Sequence, residues 1–498
     1  MTDYDHVRYP CHAYEHTHPE HLYVLGRLHG MTPAHPARSR VLEIGCGDGG
    51  NLVPMAWQYP QSRFFGFDLA ETSIVAGQAR AKDLELTNLE LRHLDLMEFP
   101  ESEGPFDYVI AHGFYSWVPD FVRERMLELV RRILTPQGIA FVSYNAYPGS
   151  HIRGMIRDMV LFHVSRAPDA KSKVEQAKAF LGFMEKGMAG TDEHGRLLKA
   201  EVARVQGFNP AHFFHDDLAA INQPFYLHEF TAQAEARSLQ YLTDADFPST
   251  QDSRLAPEVR ESLSQLGNVV LREQYLDFLR CRRFRQTLLC HAGVRLDRHV
   301  DPRRLREFWL AGQVTATPGR TDEWSCPGGA RLRSPHPVAR AALTAISAQW
   351  PGRWDFSGLA DAVEKETGGP REAVEDLLDK VLWEAFTSGM IHAWPNKEPF
   401  AAKLSERPVA SALARKLLQH GDSVVTMLHG NVTIGDAAGR TLISLLDGTR
   451  DVTALTEGLA ASPELIELAA DPAERMKLAR ENVTSGLQHL LHLALLTA

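Results

Sequence analysis

The sequence has few cysteines and no long apolar run. No C-x-x-C pair occurs, so neither a zinc knuckle nor a disulfide framework is predicted from the five cysteines Cys11, Cys46, Cys281, Cys290 and Cys326. No stretch of about 18 apolar residues occurs, so no membrane-spanning helix is predicted. The first residues also lack the basic-then-apolar form of a signal peptide. We therefore expect a protein of the reducing cytoplasm with no membrane partner.

An excess of positive charge is also missing. Lysine and arginine total 53 against 63 acidic side chains, which gives a net charge of −10. This balance argues against wholesale binding of nucleic acid, and we expect no nucleic-acid partner. With 44% hydrophobic and 23% charged residues, the composition is that of a globular protein. The 498 residues leave room for roughly three domains.

The most informative segment is Val41–Leu52, which reads VLEIGCGDGGNL. A short apolar run containing Glu43 is followed by Gly45, Gly47 and Gly49, and a helical pattern then begins. Glycine allows the chain to turn sharply and a ligand to approach the backbone, and the following helix N-terminus offers N–H groups to a carboxylate. Nicotinamide enzymes use a related G-x-G-x-x-G spacing, so the loop alone leaves that class open.

Two further apolar runs end in acids. Phe64–Phe67 is followed by Asp68, where a strand-end carboxylate can hold a ribose diol, and Leu89–Leu96 contains Asp95, placed for an adenine amine. This ordering resembles the class I S-adenosylmethionine-dependent methyltransferases. The resemblance implies an α/β fold with a Rossmann-like domain and S-adenosylmethionine as cofactor. The cofactor-binding residues that it implies are Glu43, Gly45, Cys46, Gly47, Gly49, Asn51, Asp68, Leu69, Asp95, Leu96 and His112.

The loop HGFYSWV, residues 112–118, follows the next predicted strand and is the candidate for the substrate side of the crevice. Methyl transfer from a sulfonium is an in-line displacement, so orientation of the nucleophile is the main requirement. Phe114 and Trp117 are predicted to exclude water and favour a passing cation. Tyr115 and His112 are the catalytic candidates, because each can accept a proton or a hydrogen bond. The alternative is that these aromatic rings only pack the floor of the pocket.

Asn145, at the end of the following strand, is predicted to face the same crevice and contact substrate. The N-P-P-Y tetrad of amino-methylating DNA enzymes is absent from the 112–118 loop, which argues against a base methyltransferase.

The N-terminal segment is rich in aromatic residues and histidines. Its His16-x-His18-x-x-His21 spacing invites a metal interpretation, but we expect a helix-capping segment and no metal site. A segment before the first strand can also fold over a cofactor as a lid. Tyr9, as a substrate-binding residue, and the Thr17–Pro19 turn are the candidates for that closure.

After Asn145 the pattern turns helical, and roughly 70 residues are predicted to be inserted before strand-like Leu239–Leu242. Helical periods are also read over residues 255–289, with Glu273 to Leu289 as a buried amphipathic helix whose outer face is basic through Arg280, Arg282, Arg283 and Arg285.

Several segments narrow the resemblance: residues 112–119, Ser143–Asn145 with Pro148–Gly149, 153–159, 222–230 and 273–290. They are similar to bacterial methyltransferases that carry a methyltransferase regulatory domain. The best understood of these are the rickettsial-type protein-lysine methyltransferases, so the resemblance implies a protein or peptide substrate.

Residues 318–337 are rich in proline, glycine, serine and threonine and are predicted to be a linker. Three helical periods and a short strand follow, then a second unit with a helix–turn–helix character, which together predict a winged-helix-like region that reads a partner or substrate. The predicted domains are a methyltransferase core at 1–145, a helical insert at 146–225, completion of the sheet with a helical regulatory region at 226–317, and the accessory region at 338–498.

Three functional hypotheses follow. The first is a methyltransferase acting on lysine side chains of a protein or peptide, for which a dedicated base is optional because desolvation and the sulfonium charge lower the lysine pKa. The second is a small-molecule O- or N-methyltransferase with a capping insert. The third is a non-catalytic binder that keeps the cofactor fold, although the intact Glu43, glycines and Asp68 argue against it. The helical regions also offer surface for a possible homodimer.

Overall fold

The computed structural model describes residues 11–188, 190, 192–320 and 322–498. These divide into two compact units. The first comprises the described residues of Met1–His12 with Met31–Ala56 and Pro60–Arg298, and the second comprises Ala13–Gly30, Trp57–Tyr59 and His299–Ala498.

The first unit is built on a seven-stranded sheet with the order β3-β2-β1-β4-β5-β7-β6. Neighbours from β3 to β5 pair in parallel, whereas β7 runs antiparallel between β5 and β6. The strands are β1 (Arg40–Ile44), β2 (Arg63–Asp68), β3 (Leu89–His93), β4 (Phe106–Ala111), β5 (Leu134–Asn145), β6 (Leu239–Asp244) and β7 (Phe284–His291). The predicted α/β fold with a Rossmann-like sheet is confirmed.

The central strands are buried along most of their length, which is why they read as continuous apolar runs. The helix Asp120–Ile133 turns Met126, Leu127 and Val130 into the core beneath β4 and β5. The other helices between the first five strands are Leu52–Gln58 and Glu71–Asp83.

Four helices follow β5 and enclose a core of their own around Ile156, Leu181 and Phe213. Asp169, Asp192 and Asn209 each accept a backbone N–H and so cap the N-terminus of a helix. The four helices are Ser150–Val164, Ala170–Gly187, Glu193–Gln206 and Pro210–Asp217, and Leu227–Glu235 then leads into β6.

The predicted helical pattern over 255–289 is wrong in its last part. Two helices form, Pro257–Ser264 and Val269–Arg280, and the second ends at Cys281, whose φ of 48° is left-handed. Residues from Phe284 onward are the strand β7. The predicted basic outer face is wrong for the same reason, because Arg285 lies on this strand and is fully buried.

In the second unit, the helices Pro337–Gln349, Phe356–Thr367 and Arg371–Thr387 are followed by the strand His392–Trp394, which pairs with Trp309–Ala311. The predicted linker instead contributes to a small antiparallel sheet of Thr315–Ala316, Glu323–Ser325 and Arg331–Arg333. Glycine and proline marked its turns, and its short strands are too brief to show a period.

The rest of the second unit includes a core with Leu442, Leu459 and Val483, which residues beyond 400 form. Its elements are the helices Pro19–Leu28, Ala412–Leu417, Ala437–Leu445, Val452–Ala460, Pro463–Leu468 and Pro472–His492, and the paired strands Ser423–Val425 and Asn431–Thr433. Short 3₁₀ turns across both units are Glu15–Thr17, Pro36–Arg38, Leu96–Glu98, Glu101–Glu103, Tyr115–Trp117, Phe247–Thr250 and Pro302–Glu307. Among the described residues, no helix combines the length and apolarity needed to cross a bilayer.

A buried ion network joins β6, β7 and the helix Val269–Arg280. Arg285 makes two 2.8 Å hydrogen bonds to the carboxylate of Asp277 and contacts Asp244 and Glu273 at 3.2 Å. Burial raises the pKa of Asp244 and Glu273, and the guanidinium charge opposes that shift. The Arg285 charge therefore offsets the cost of burying this cluster of carboxylates beside the sheet.

Replacing Arg285 with alanine leaves these buried carboxylates without their shared cation, so the free energy of unfolding should fall by about 3–5 kcal/mol. Urea denaturation followed by circular dichroism measures the loss. The matched control is Arg295→Ala, an exposed arginine just after β7, which should change stability by less than about 0.5 kcal/mol. Equal stabilities of the two variants would contradict this role for the network.

Candidate active site

The carboxyl ends of β1 to β5 lie at one edge of the sheet, because these strands are parallel. Gly45, Asp68, His112 and Asn145 stand at or directly after the ends of β1, β2, β4 and β5. Asp95 follows β3 by two residues. Ligands of open α/β sheets bind at such an edge, so these residues define the candidate site.

The glycine-rich loop between β1 and the next helix has a left-handed backbone at Gly45, Gly47 and Gly49, with φ of 71°, 55° and 71°. L-residues with a Cβ rarely adopt this conformation. A Cβ at residue 47 would also lie 2.4 Å from the Sγ of Cys11. Cys46 is buried within the loop, and burial raises the pKa of its thiol. Sequence reasoning missed Cys11 because it is far from the loop in sequence.

Glu43 lies on β1 beneath the loop, where it is only 4% exposed. Asn51 Nδ2 donates to its Oε1 over 2.8 Å, while its Oε2 is buried without a hydrogen-bond partner. Burial raises the Glu43 pKa to about 8, the Asn51 hydrogen bond opposes the shift, and the charges of Asp68 and Asp48 add to it. Glu43 Oε2 is thus a buried acceptor without a donor, and Asp48 and Asp68 add negative charge near it. This arrangement fits a cationic ligand group.

The Asp68 carboxylate is held by the backbone. Ala70 N–H donates to its Oδ1 over 2.8 Å, and Gly47 N–H donates to its Oδ2 over 2.9 Å. Asp95 Oδ1 accepts from Met97 N–H over 2.9 Å. The residues that follow these two acids differ in exposure: Leu69, after Asp68, is half exposed, and Leu96, after Asp95, is buried. Both carboxylates therefore have fixed orientations and further lone pairs for ligand hydroxyl or amine groups.

The 112–118 loop is anchored at its first residues. Gly113 N–H donates to Ser143 Oγ over 2.8 Å, and this hydroxyl lies 3.0 Å from His112 Nδ1. The Phe114 ring lies against the glycine-rich loop, because a Cβ at Gly45 would approach its Cδ2 to 3.0 Å. Phe114 therefore lies beside the glycine-rich loop. The His112 ring instead lies near Phe141 and Phe284, and its cofactor-binding and catalytic roles stay predictions.

Tyr115 does not fit the predicted catalytic role. Its side chain is fully buried, its ring packs against Phe225 and Phe230, and its hydroxyl donates to Gln233. Burial also raises its pKa, which opposes proton abstraction. It is a packing residue of the hydrophobic core of the first unit. Trp117, two residues on, is partly exposed and remains a predicted substrate contact.

Asn145 ends β5 and is tied to a loop from the middle of the chain. Its Nδ2 donates to Asn222 Oδ1 over 2.9 Å, and its N–H donates to Ser116 Oγ over 2.9 Å. Gln223 N–H donates to Ser116 O over 2.8 Å. The stretch 222–230 carried the family resemblance, but its sequence did not reveal this contact with the strand end.

Tyr9 lies outside the described residues. The predicted helix-capping role of the N-terminal histidines holds for His18, whose Nδ1 accepts from Glu20 N–H at the start of Pro19–Leu28. His18 belongs to the second unit, where its ring lies 4.8 Å from that of His429. The predicted lid role of the Thr17–Pro19 turn stays a prediction. Among the described residues, no group of three potential ligands could hold a metal ion.

Three family profiles match this chain. They are a methyltransferase domain over residues 41–138, a predicted methyltransferase regulatory domain over 209–291, and the C-terminal winged helix domain of PKMT over 406–495. The first spans the glycine-rich loop and both acids, and the second spans Asn222 and the Arg285 network.

Relatives and solved structures agree with these profiles. The chain is 35% identical to the uncharacterized protein RP028 of Rickettsia prowazekii over 48% of its own length and 96% of that protein. It is also 35% identical to RP789 of the same organism over 61% of its own length, but spans only 55% of that protein. The structure of PKMT2 from Rickettsia typhi matches with a TM-score of 0.89 and 26% identity, covering 98% of this chain and all of PKMT2. A second PKMT2 structure, in complex with AdoHcy, matches with a TM-score of 0.88.

The chain belongs to the class I S-adenosylmethionine-dependent methyltransferases that carry a methyltransferase regulatory domain and a PKMT-type C-terminal winged helix domain. S-adenosylmethionine is accordingly its cofactor. The orphaned Glu43 Oε2 and the glycine-rich loop suit this cationic ligand.

Gly47→Ala should raise the dissociation constant of S-adenosylmethionine about tenfold or more, because the methyl group meets Cys11 and the backbone is strained. Isothermal titration calorimetry measures the change. Gly319→Ala is the matched control, since its φ of 76° carries similar strain but nothing lies within 4 Å of a Cβ there. Adding Cys11→Ala should restore part of the affinity, and no restoration would mean that the sulfur contact is unimportant.

Cofactor affinity should rise between pH 6 and pH 8 and then level off. Glu43, with a pKa of about 8, is mostly protonated at neutral pH, and a bound cation favours its ionised form, so binding releases a proton. Calorimetry in buffers of different ionisation enthalpy counts that proton. Glu43→Gln should release fewer protons and show a flatter profile, and an unchanged profile would assign the proton elsewhere.

Proposed function

We propose that this protein transfers methyl groups from S-adenosylmethionine to lysine side chains of a protein or peptide. The observation that carries the proposal is the full-length likeness to PKMT2 of Rickettsia typhi, which includes the regions outside the methyltransferase domain. The rickettsial-type protein-lysine methyltransferases that the sequence resembles supply the substrate class.

The residues of the sheet edge divide into two groups. Glu43, Asp68 and Asp95 would hold the cofactor together with the glycine-rich loop, through the carboxylate oxygens described above. When bound, S-adenosylmethionine supplies a methyl group on a sulfonium that an amine can attack in line. Phe114, packed against Gly45, would keep water from this point.

The chain's part in the transfer is to orient a neutral amine. Asn145 Nδ2 is committed to Asn222, so its Oδ1 is the atom that can accept a hydrogen bond from the lysine. The lysine loses its proton first, since desolvation and the nearby positive charge lower its pKa. A nitrogen–carbon bond then forms as the sulfur–carbon bond breaks, and the electron pair stays on sulfur. His112 remains a candidate for receiving the proton.

A small-molecule substrate is the alternative. The demethylmenaquinone methyltransferase of Listeria welshimeri is 33% identical over 102 residues, but these cover only 20% of this chain. That likeness is short and does not account for the remaining four fifths of the sequence. The predicted homodimer, the cytoplasmic location and the lack of a nucleic-acid partner all stay predictions.

Incubating the purified protein with methyl-labelled S-adenosylmethionine and a lysate of its source organism should label discrete protein bands, with the label mapping to lysine. Asn145→Ala should lower turnover about 100-fold with cofactor affinity unchanged, because the nucleophile is misplaced. Asn482→Ala, an exposed asparagine of the last helix, is the control. Label confined to small molecules would favour the alternative, and an unaffected Asn145→Ala variant would remove this residue from the site.

A further inference from the structure

Two tyrosines are held side by side directly beyond the end of β5. Ala146 pairs with Phe225, and Tyr147 N–H donates to Phe225 O over 3.0 Å. As a result, the Tyr147 and Tyr226 rings lie with centroids 5.1 Å apart. Both side chains are half buried. In the sequence, Tyr147 follows Asn145 by two residues, and Tyr226 follows Asn222 by four.

The surroundings of this pair favour a cation. The Tyr147 ring stacks on His151 at 4.1 Å, and Tyr226 stacks on His228 at 5.5 Å. A carboxylate lies beside the pair, because the Tyr226 N–H donates to Glu229 Oε2 over 3.0 Å. Burial raises the Tyr147 pKa, and Tyr226, Glu229 and Asp158 raise it further. Aromatic faces close to carboxylates attract ammonium groups.

Two arginines of this region are paired with carboxylates. Arg153 contacts Asp217 at 2.8 Å, and Arg283 contacts Glu201 at 2.7 Å. These ion pairs reduce the local positive charge that would otherwise repel a lysine.

The aromatic row continues outward from the tyrosine pair. The edge of Phe278 meets Tyr226 at 6.0 Å, and Tyr275 lies 5.9 Å from Phe278. Phe278 and Tyr275 are 47% and 46% exposed, and Leu271 and Leu279 on the same helix are also exposed. The aromatic row thus connects the tyrosine pair at the end of β5 to the exposed apolar face of the helix Val269–Arg280. This apolar face is too extended for a small metabolite to cover.

We infer that Tyr147 and Tyr226 bind the side chain of the target lysine, and that Phe278 and Tyr275 bind an apolar side chain of the same extended polypeptide. This inference rests on the proposed function, since it names how that substrate is held. Two features point to a lysine in an extended polypeptide. The aromatic faces of the tyrosine pair, with a carboxylate beside them, favour a cation. The exposed row of Phe278 and Tyr275 continues from this pair, so a ligand that contacts both must be an extended chain.

The experiment measures peptide binding without turnover. The probes are two peptides with an N-terminal fluorescein, fluorescein-Gly-Leu-Lys-Leu-Gly-amide and its norleucine analogue, which lacks only the ammonium group. With the full chain and saturating AdoHcy, we expect the lysine peptide to bind about tenfold more tightly than the norleucine peptide. A desolvated cation–π contact contributes about this factor to affinity. Fluorescence anisotropy gives both dissociation constants.

Tyr147→Leu and Tyr226→Leu should each reduce this preference to about threefold or less, because the apolar volume stays but the aromatic face is lost. Tyr147→Phe should keep the preference. Phe278→Ser should weaken both peptides equally, since it removes only the apolar contact. Phe162→Ser, at a phenylalanine 84% exposed on the helix Ser150–Val164, is the control and should change neither constant. AdoHcy affinity should stay constant in all variants.

Equal binding of the lysine and norleucine peptides by the unmodified protein would overturn the inference, as would an unchanged preference in both leucine variants. A preference lost equally in Tyr147→Phe would also overturn it, because the ring would not be the cause. These outcomes do not depend on turnover. Failure to label any lysine, with the binding preference intact, would instead count against the proposed function.

Discussion

The ion network around Arg285 is the interaction on which the site depends. It brings a buried cation to three carboxylates from β6 and from the helix Val269–Arg280, and it sits on the strand that completes the sheet. Because β7 pairs with β5 from Ala140 to Asn145, the end of β5 is fixed by β7 on one side and β4 on the other. Asn145 and the residues after it therefore take their positions from a strand that lies 140 residues further along the chain.

The two halves of the site handle charge in different ways. On the cofactor side, burial raises the pKa of Glu43 to about 8, and the charges of Asp68 and Asp48 add to that shift. On the proposed substrate side, the carboxylate of Glu229 lies beside the tyrosine pair, since it accepts from the Tyr226 N–H over 3.0 Å. Under the proposed function, the cationic cofactor would lie beside buried acids, whereas the substrate ammonium would lie against the rings of Tyr147 and Tyr226.

Features encoded by adjacent residues were predictable from the sequence. The glycine-rich loop with Glu43, and the strand ends at Asp68 and Asp95, follow from local patterns of three to eight residues. Contacts between distant residues were not. Cys11 touches Gly47 across 36 positions, and Tyr115 became a core residue only because Phe225, Phe230 and Gln233 close over it. Arg285 was misjudged because a group of arginines within a helical period looks like a solvent-exposed basic face, and its burial depends on acids supplied by other elements.

The second unit contains segments from both ends of the chain, so it can assemble only when almost the whole chain has been synthesised. Ala13 exchanges two hydrogen bonds with Asn431, 418 residues away, and Arg27 pairs with Glu307. During translation, the helix Pro19–Leu28 must wait with its apolar face uncovered until its partners leave the ribosome. Closing such a long loop early has a high entropic cost and a slow rate. The nascent chain therefore carries an exposed apolar helix for most of its synthesis, which gives chaperones a defined segment to bind.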